Sequence, residues 1–235
     1  MNMFYIDPYY IVLVLPAVIF ALICQGVVKH TFNKYNKIEN RAGFTGEQAA
    51  RQILDSCGLK HVPIERVSGN LSDHFDPEAN VLRLSDEVYN GKGIGAVGVA
   101  AHETGHAVQY ALGYAPMRLR GGIINVTNIG SRLSIPLVVA GILLEYFLHF
   151  GIVFAYIGVL LFALSLVFQL VTLPVEFDAS KRAIGFLESD DILYPDEIDG
   201  ARKVLTAAAM TYVAALAVSL MQLIRLLLLV FGRRR

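Results

Sequence analysis

The sequence predicts a mainly α, multi-pass helical membrane protein carrying a small domain with a short β-sheet outside the bilayer. Three observations predict it. The 235 residues are 55% hydrophobic with a mean hydropathy of +0.52, too apolar for an ordinary soluble domain. The apolar residues gather in runs suited to membrane spans, about 11–28, 133–148, 152–173 and 204–231. Between them lie polar segments, 29–132 and 174–203, and the first contains His102-Glu103-Thr104-Gly105-His106. One membrane domain covering the chain is the expected organisation. A formal net charge of zero leaves no global basic character to attract nucleic acid. Cys24 and Cys57 have neither disulfide-framework nor zinc-knuckle spacing, so cysteine chemistry is not the centre of function.

The first run is followed by Lys29, His30, Lys34, Lys37 and Arg41, whereas the residues before it contain Asp7 and no lysine or arginine. A cleaved signal peptide has the opposite polarity, so the run reads as an uncleaved anchor. The positive-inside bias then places the N-terminus outside and the segment after Val28 in the cytoplasm. Thr45 and Gln48 have the form of a capping box, and Ala49, Ala50, Ile53, Leu54 and Cys57 make a helical stripe that stops at Gly58. Residues 59–80 read as irregular, with one short strand near 62–67. Residues 81–84 have strand character, and such a strand could offer an edge to an extended peptide. His74, within Asp73-His74-Phe75-Asp76, reads as a loop histidine bonded to a nearby carboxylate and is left out of the metal set.

Residues 94–112 contain no proline and end at Gly113, a C-terminal glycine for a buried helix. On that helix the four-residue step from His102 to His106 puts both imidazoles on one face, one turn apart, where they can bind one metal. Neutral imidazoles suit zinc, and a hydrolytic zinc site keeps one position for water, whose pKa falls toward roughly 7. Glu103 is the candidate general base, taking a proton from that water and passing it to the leaving nitrogen. The alternative is a buried helix with two hydrogen-bonded histidines. It is disfavoured because two histidines and a glutamate are costly there unless paired or metal-bound. Gly91-Lys92-Gly93 lacks the phosphate-loop signature and reads as a flexible entry to this helix.

After Arg118, Arg120 and Arg132 comes an apolar stretch broken near His149-Phe150-Gly151, the expected hairpin of two spans. Glu145 and His149 near its turn suit snorkelling or helix pairing. Two crossings return the chain to the side it left, so residues after Leu173 share a compartment with His102 and His106. Pro174 is expected to mark the change from span to cytoplasmic helix. Leu112 stands where a metzincin would have its third histidine. The best remaining donor is Glu176, whose helical face also carries the small residues Ala179 and Ser180 while Asp178 points elsewhere. The bland reading of Glu176 is a surface carboxylate favoured by a helix dipole.

These residues resemble a known family. The order of Asp73-His74-Phe75-Asp76, strand, His-Glu-x-x-His and, two spans later, Glu176-Phe177-x-Ala179 is similar to gluzincin membrane proteases of the HtpX and CAAX prenyl protease kind. Closer still is the YugP-like family of bacterial membrane zinc peptidases. It shares the style of residues 97–109, Pro174-Val175-Glu176-Phe177-Asp178-Ala179-Ser180, and the Ala-Ala-x-Thr-Tyr-Val-Ala stretch at 208–214. The resemblance covers most of the chain. It implies one zinc per chain on His102, His106 and Glu176, with Glu103 as base. The broader group has an aspartate four residues after its ligand glutamate, where Ser180 stands here, so the residue orienting a zinc histidine is open.

The final apolar run contains Gln222 and Arg225, and if it crosses, Arg233-Arg234-Arg235 lies outside against the positive-inside trend. Tyr212 reads as packing, with hydrogen bonding to a tetrahedral intermediate as its functional alternative. The leading expectation is a zinc endopeptidase in the cell membrane whose active site faces the cytoplasm and whose substrates are membrane-associated polypeptides. Its rival is a non-proteolytic assembly or chaperone-like protein with a structural zinc, which would need a fourth protein ligand. A metal-free helical scaffold is the third reading.

Overall fold

A computed structural model describes residues 7–69, 72–148 and 150–232. His149 and Arg233-Arg234-Arg235, which figured in the expected topology, lie outside them. A π-helical turn, Tyr10–Val14, leads into α1 (Leu15–Asn36). Then come α2 (Gly46–Ser56), β1 (Ile64–Val67), β2 (His74–Asp76), β3 (Val81–Ser85), α3 (Asp86–Tyr89) and α4 (Ile94–Ala111). Three long helices complete the chain, α5 (Ala115–Leu148), α6 (Ile152–Ser189) and α7 (Pro195–Phe231). The protein is mainly α with a small sheet. Among the described residues, four helices, Tyr10–Asn36, Ala115–Phe147, Ile152–Ser189 and Pro195–Phe231, are long and apolar enough to cross a membrane.

The helices outrun the expected spans. At 1.5 Å per residue, α6 is about 57 Å long, nearly twice a hydrocarbon core of about 30 Å. α6 continues through Pro174, as α5 continues through Pro136, so the change from span to helix expected at Pro174 falls inside one unbroken helix. A helix can tolerate the one hydrogen bond that proline removes when tertiary packing holds both sides. Val175 and Ala179, just after Pro174, are fully buried.

By packing the chain divides into two units, each drawn from separated segments. The first comprises the chain up to Ile23, Leu119–Leu173 and the chain from Thr211. Here α5 and α6 form a hairpin whose backbones come close at Gly158, where a Cβ would lie 2.6 Å from the carbonyl oxygen of Ser134. Small residues permit that approach where no hydrophobic effect drives helices together. Val138, Ala155, Val159, Leu226 and Val230 form its core. Glu145 accepts a hydrogen bond from the Ile152 amide at 2.8 Å, capping α6 rather than snorkelling. Arg225 pairs with Asp7 at 2.6 Å.

The second unit comprises Cys24–Arg118 and Pro174–Met210. Thr45 and Gln48 form the expected capping box on α2. That helix buries Ala49, Ala50, Ile53 and Leu54, and Gly58 follows at φ +76°. Its Ile53 joins Val97, Ala101, Leu187, Ile192 and Ala201 in one core cluster, while Leu54 joins Leu82, Leu84, Val88 and Ala100 in another. The sheet order is β1-β3-β2, with β1 parallel and β2 antiparallel to β3. The strand expected at 81–84 is therefore the central one, flanked on both sides. Its backbone has no edge for a peptide, which corrects that expectation. The outer strands are β1 and β2, and β2 was read as loop in the sequence.

Candidate metal centre

Helix α4 carries the centre. It is buried on almost every side, and only its own sequence explains how a second helix reaches it. Gly105, between the two histidines, faces α6: a Cβ there would lie 2.8 Å from the carbonyl oxygen of Ala179. Ala179 itself is fully buried. A glycine facing an alanine lets the helices approach until a side chain one turn earlier on α6 reaches the imidazoles. That side chain is Glu176.

Glu176 Oε2 lies 3.3 Å from His102 Nε2 and 3.5 Å from His106 Nε2. The three donor atoms fall within 4.8 Å of one another, and the side chains are 12%, 10% and 3% exposed in the order His102, His106, Glu176. The chemistry of the set fits zinc. Bonds of about 2.1 Å at tetrahedral angles put donor atoms about 3.4 Å apart. Two neutral imidazoles cannot offset the charge of Glu176 and neighbouring Glu103, whereas a divalent cation does.

The far nitrogens of both rings are also held. His102 Nδ1 lies 3.1 Å from Ser180 Oγ, so the serine occupies the orienting position that the sequence left open. His106 Nδ1 lies 3.0 Å from Gln109 Oε1. Gln109, fully buried, donates to the carbonyl of Val175 and to Asp178 Oδ2, both at 2.8 Å. Asp178 accepts in turn from Arg182 at 2.5 Å. Asp178, expected to point away from the site, also reaches α4 through this bond to Gln109. Gln109 was missed by the sequence reading; its position three residues after His106, on the same helical face, was the available signal.

Glu103 neighbours the set on α4 and is partly accessible. Burial pushes its carboxyl above the usual range, the two histidines pull it back down, and Glu176 and Asp73 add to the upward push. Asp73 leads into β2, so the start of that strand lies within electrostatic reach of Glu103. Phe75 of β2 packs against Tyr110 of α4, with ring centroids 5.7 Å apart. His74 is exposed, bonds the Ser72 carbonyl at 2.8 Å rather than a carboxylate, and is not part of the metal group. Tyr212 is half-buried on α7, in the first unit.

Helices long and apolar enough to cross a membrane and a buried two-histidine, one-carboxylate group able to hold a metal define the class as a membrane metalloprotein. The particular family follows from comparison. The model of the family described as "Putative neutral zinc metallopeptidase" matches residues 10–231, and the chain belongs to that family. It is also 44% identical over 210 residues, 89% of this chain and 91% of the relative, to the "Putative membrane protease YugP" of Bacillus subtilis (strain 168). No solved structure matches. Membership implies zinc and a polypeptide substrate, and the apolar helices imply a bilayer.

Proposed function

We propose that the chain is a zinc-dependent membrane endopeptidase that binds one zinc through His102, His106 and Glu176 and uses Glu103 as general base. The observation that supports this most is the convergence of two imidazole nitrogens and one carboxylate oxygen on a common point, with Glu103 adjacent on the same helix. A zinc ion bound there supplies Lewis acidity, lowering the pKa of water and polarising a carbonyl. Glu103 takes the proton of the attacking water and delivers it to the departing amide nitrogen. His102 and His106 present their Nε2 lone pairs while Ser180 and Gln109 hold the rings. On this reading the enzyme is of the gluzincin type, with two histidines and a glutamate as its zinc ligands.

The rival structural-zinc reading calls for a fourth protein ligand. Among the described residues the group has three members, His102, His106 and Glu176, which favours an open position and hence catalysis. The basic residues after α1 support a cytoplasmic active site in the cell membrane. The free side of β2, beside α4, is the edge we assign to an extended substrate, in place of β3. Its main-chain bonds require no particular side chains, which suits weak sequence preference among membrane-associated or misassembled polypeptides.

The test compares detergent-purified wild type with Glu103→Gln on an unfolded polypeptide. Loss of cleavage by about three orders of magnitude with zinc retained supports the reading. Equal cleavage by the variant contradicts it.

A further inference from the structure

We propose that Gln109 is a positioning residue that locks His106 in the Nδ1–H tautomer, through an amide whose orientation is dictated from α6. The inference rests on the proposed ligand role of His106 and adds how that ligand is prepared. It begins with the two oxygens facing the Gln109 amide. The Val175 carbonyl and the Asp178 carboxylate lie on one side, each 2.8 Å from Gln109 Nε2, and both only accept hydrogen bonds. Arg182 donates to Asp178, which keeps that carboxylate an acceptor. A flipped amide would aim its own oxygen at two acceptors in a fully buried site, a cost no neighbour offsets. The NH2 group therefore faces α6, and Oε1 faces His106.

The consequence passes to the imidazole. Oε1 can only accept, so the nitrogen 3.0 Å away, His106 Nδ1, carries the proton. In the neutral ring Nε2 is then the lone-pair nitrogen; it faces Glu176 Oε2 at 3.5 Å, a second acceptor, and a cation between the two is what lets Nε2 keep its lone pair. His102 is held differently. Ser180 Oγ, 3.1 Å from its Nδ1, can donate or accept, so it supports the ring without selecting a tautomer. The two histidines are unequally prepared, and the more tightly prepared one is fixed by a relay of Arg182, Asp178, Gln109 and His106.

Two readouts test this, one of which needs no metal. In metal-free Glu176→Ala protein, which lacks the acceptor facing Nε2, at a pH where imidazoles are neutral, nitrogen NMR of labelled histidine should show His106 as the Nδ1–H tautomer. Adding Gln109→Leu to that background should give a tautomer mixture. By chelator competition, Gln109→Leu should bind zinc about 10- to 100-fold more weakly, and Ser180→Ala should lose less. Gln109→Glu places a second carboxylate against Asp178 and should also weaken zinc. Gln109→Glu with Asp178→Asn returns an amide donor to the pair and should recover part of the loss, which a general packing defect would not. In the Glu176→Ala background, His106 with its proton on Nε2 or an unchanged tautomer in Gln109→Leu overturns the proposal, as do an unchanged zinc affinity in Gln109→Leu alone and a Gln109→Glu, Asp178→Asn variant no better than Gln109→Glu. If wild type binds no zinc but the tautomer changes as described, the lock stands and the endopeptidase reading falls.

Discussion

The Arg225 cluster of one unit and the His102–His106–Glu176 cluster of the other are built on opposite principles. In the membrane unit Arg225 is matched on several sides. Its Nε meets Asp7 at 2.6 Å, an Nη meets Gln222 at 3.3 Å, and its guanidinium lies 5.3 Å from the Tyr10 ring centroid. One positive and one negative charge cancel. In the other unit two imidazoles and Glu176 turn toward a shared point, with Glu103 adding a second carboxylate. Arg182 is engaged with Asp178. A closed, neutral cluster satisfies its own charges within the helix packing, whereas a convergent cluster with surplus negative charge is made for a cation.

The sharpest way to break this contrast is to remove one member of each cluster. Alanine at His102, His106 or Glu176 should reduce zinc affinity by at least about 100-fold. Arg225→Met should leave zinc content unchanged while lowering stability in detergent by about 2 kcal/mol, because Asp7 keeps a charge without its partner. Arg225→Met with Asp7→Asn should regain most of that loss. Zinc analysis and thermal unfolding of the same preparations decide the matter, and zinc loss in Arg225→Met would merge the two clusters into one functional network.

A smaller effect is expected from helix approach. Gly105→Ala adds a methyl 2.8 Å from the Ala179 carbonyl oxygen, which should cost about 1–3 kcal/mol of stability and weaken zinc binding by displacing Glu176. The smallest concerns substrate. Successive main-chain N–H groups on a strand point to opposite edges, so of His74 and Phe75 one donates toward β3 and the other outward. Separate proline substitutions should give one variant with a damaged sheet and one that folds, keeps zinc and cleaves several-fold more slowly. Two folded variants with wild-type turnover would remove β2 as the substrate edge.

What could be read in advance depended on how local the signals were. The α4 boundaries, the two histidines and the Thr45 cap follow from spacing within one turn. Glu176 required only that two spans bring α6 back to the same side. The strand β2 has three residues, too few to show alternation, and its pairing partner defines it, so Asp73–Asp76 read as loop. With β2 unseen, β3 looked like an edge. Gln109 could be read from its step of three from His106, but its bond to Asp178 could not, because that bond depends on how α4 and α6 are rotated about their axes, and the close approach at Gly105 sets that rotation. Pro174 marks the boundary between the two units without breaking α6, because proline is a reliable stop only where packing does not sustain the helix.

The most direct test of the account is the zinc content of four detergent-purified proteins, measured side by side: wild type, Glu103→Gln, Glu176→Ala and His106→Ala. The account predicts one zinc per chain in wild type and in Glu103→Gln, and little in Glu176→Ala or His106→Ala. Full occupancy in Glu176→Ala, or loss of zinc in Glu103→Gln alone, would contradict the ligand set on which the proposed chemistry rests.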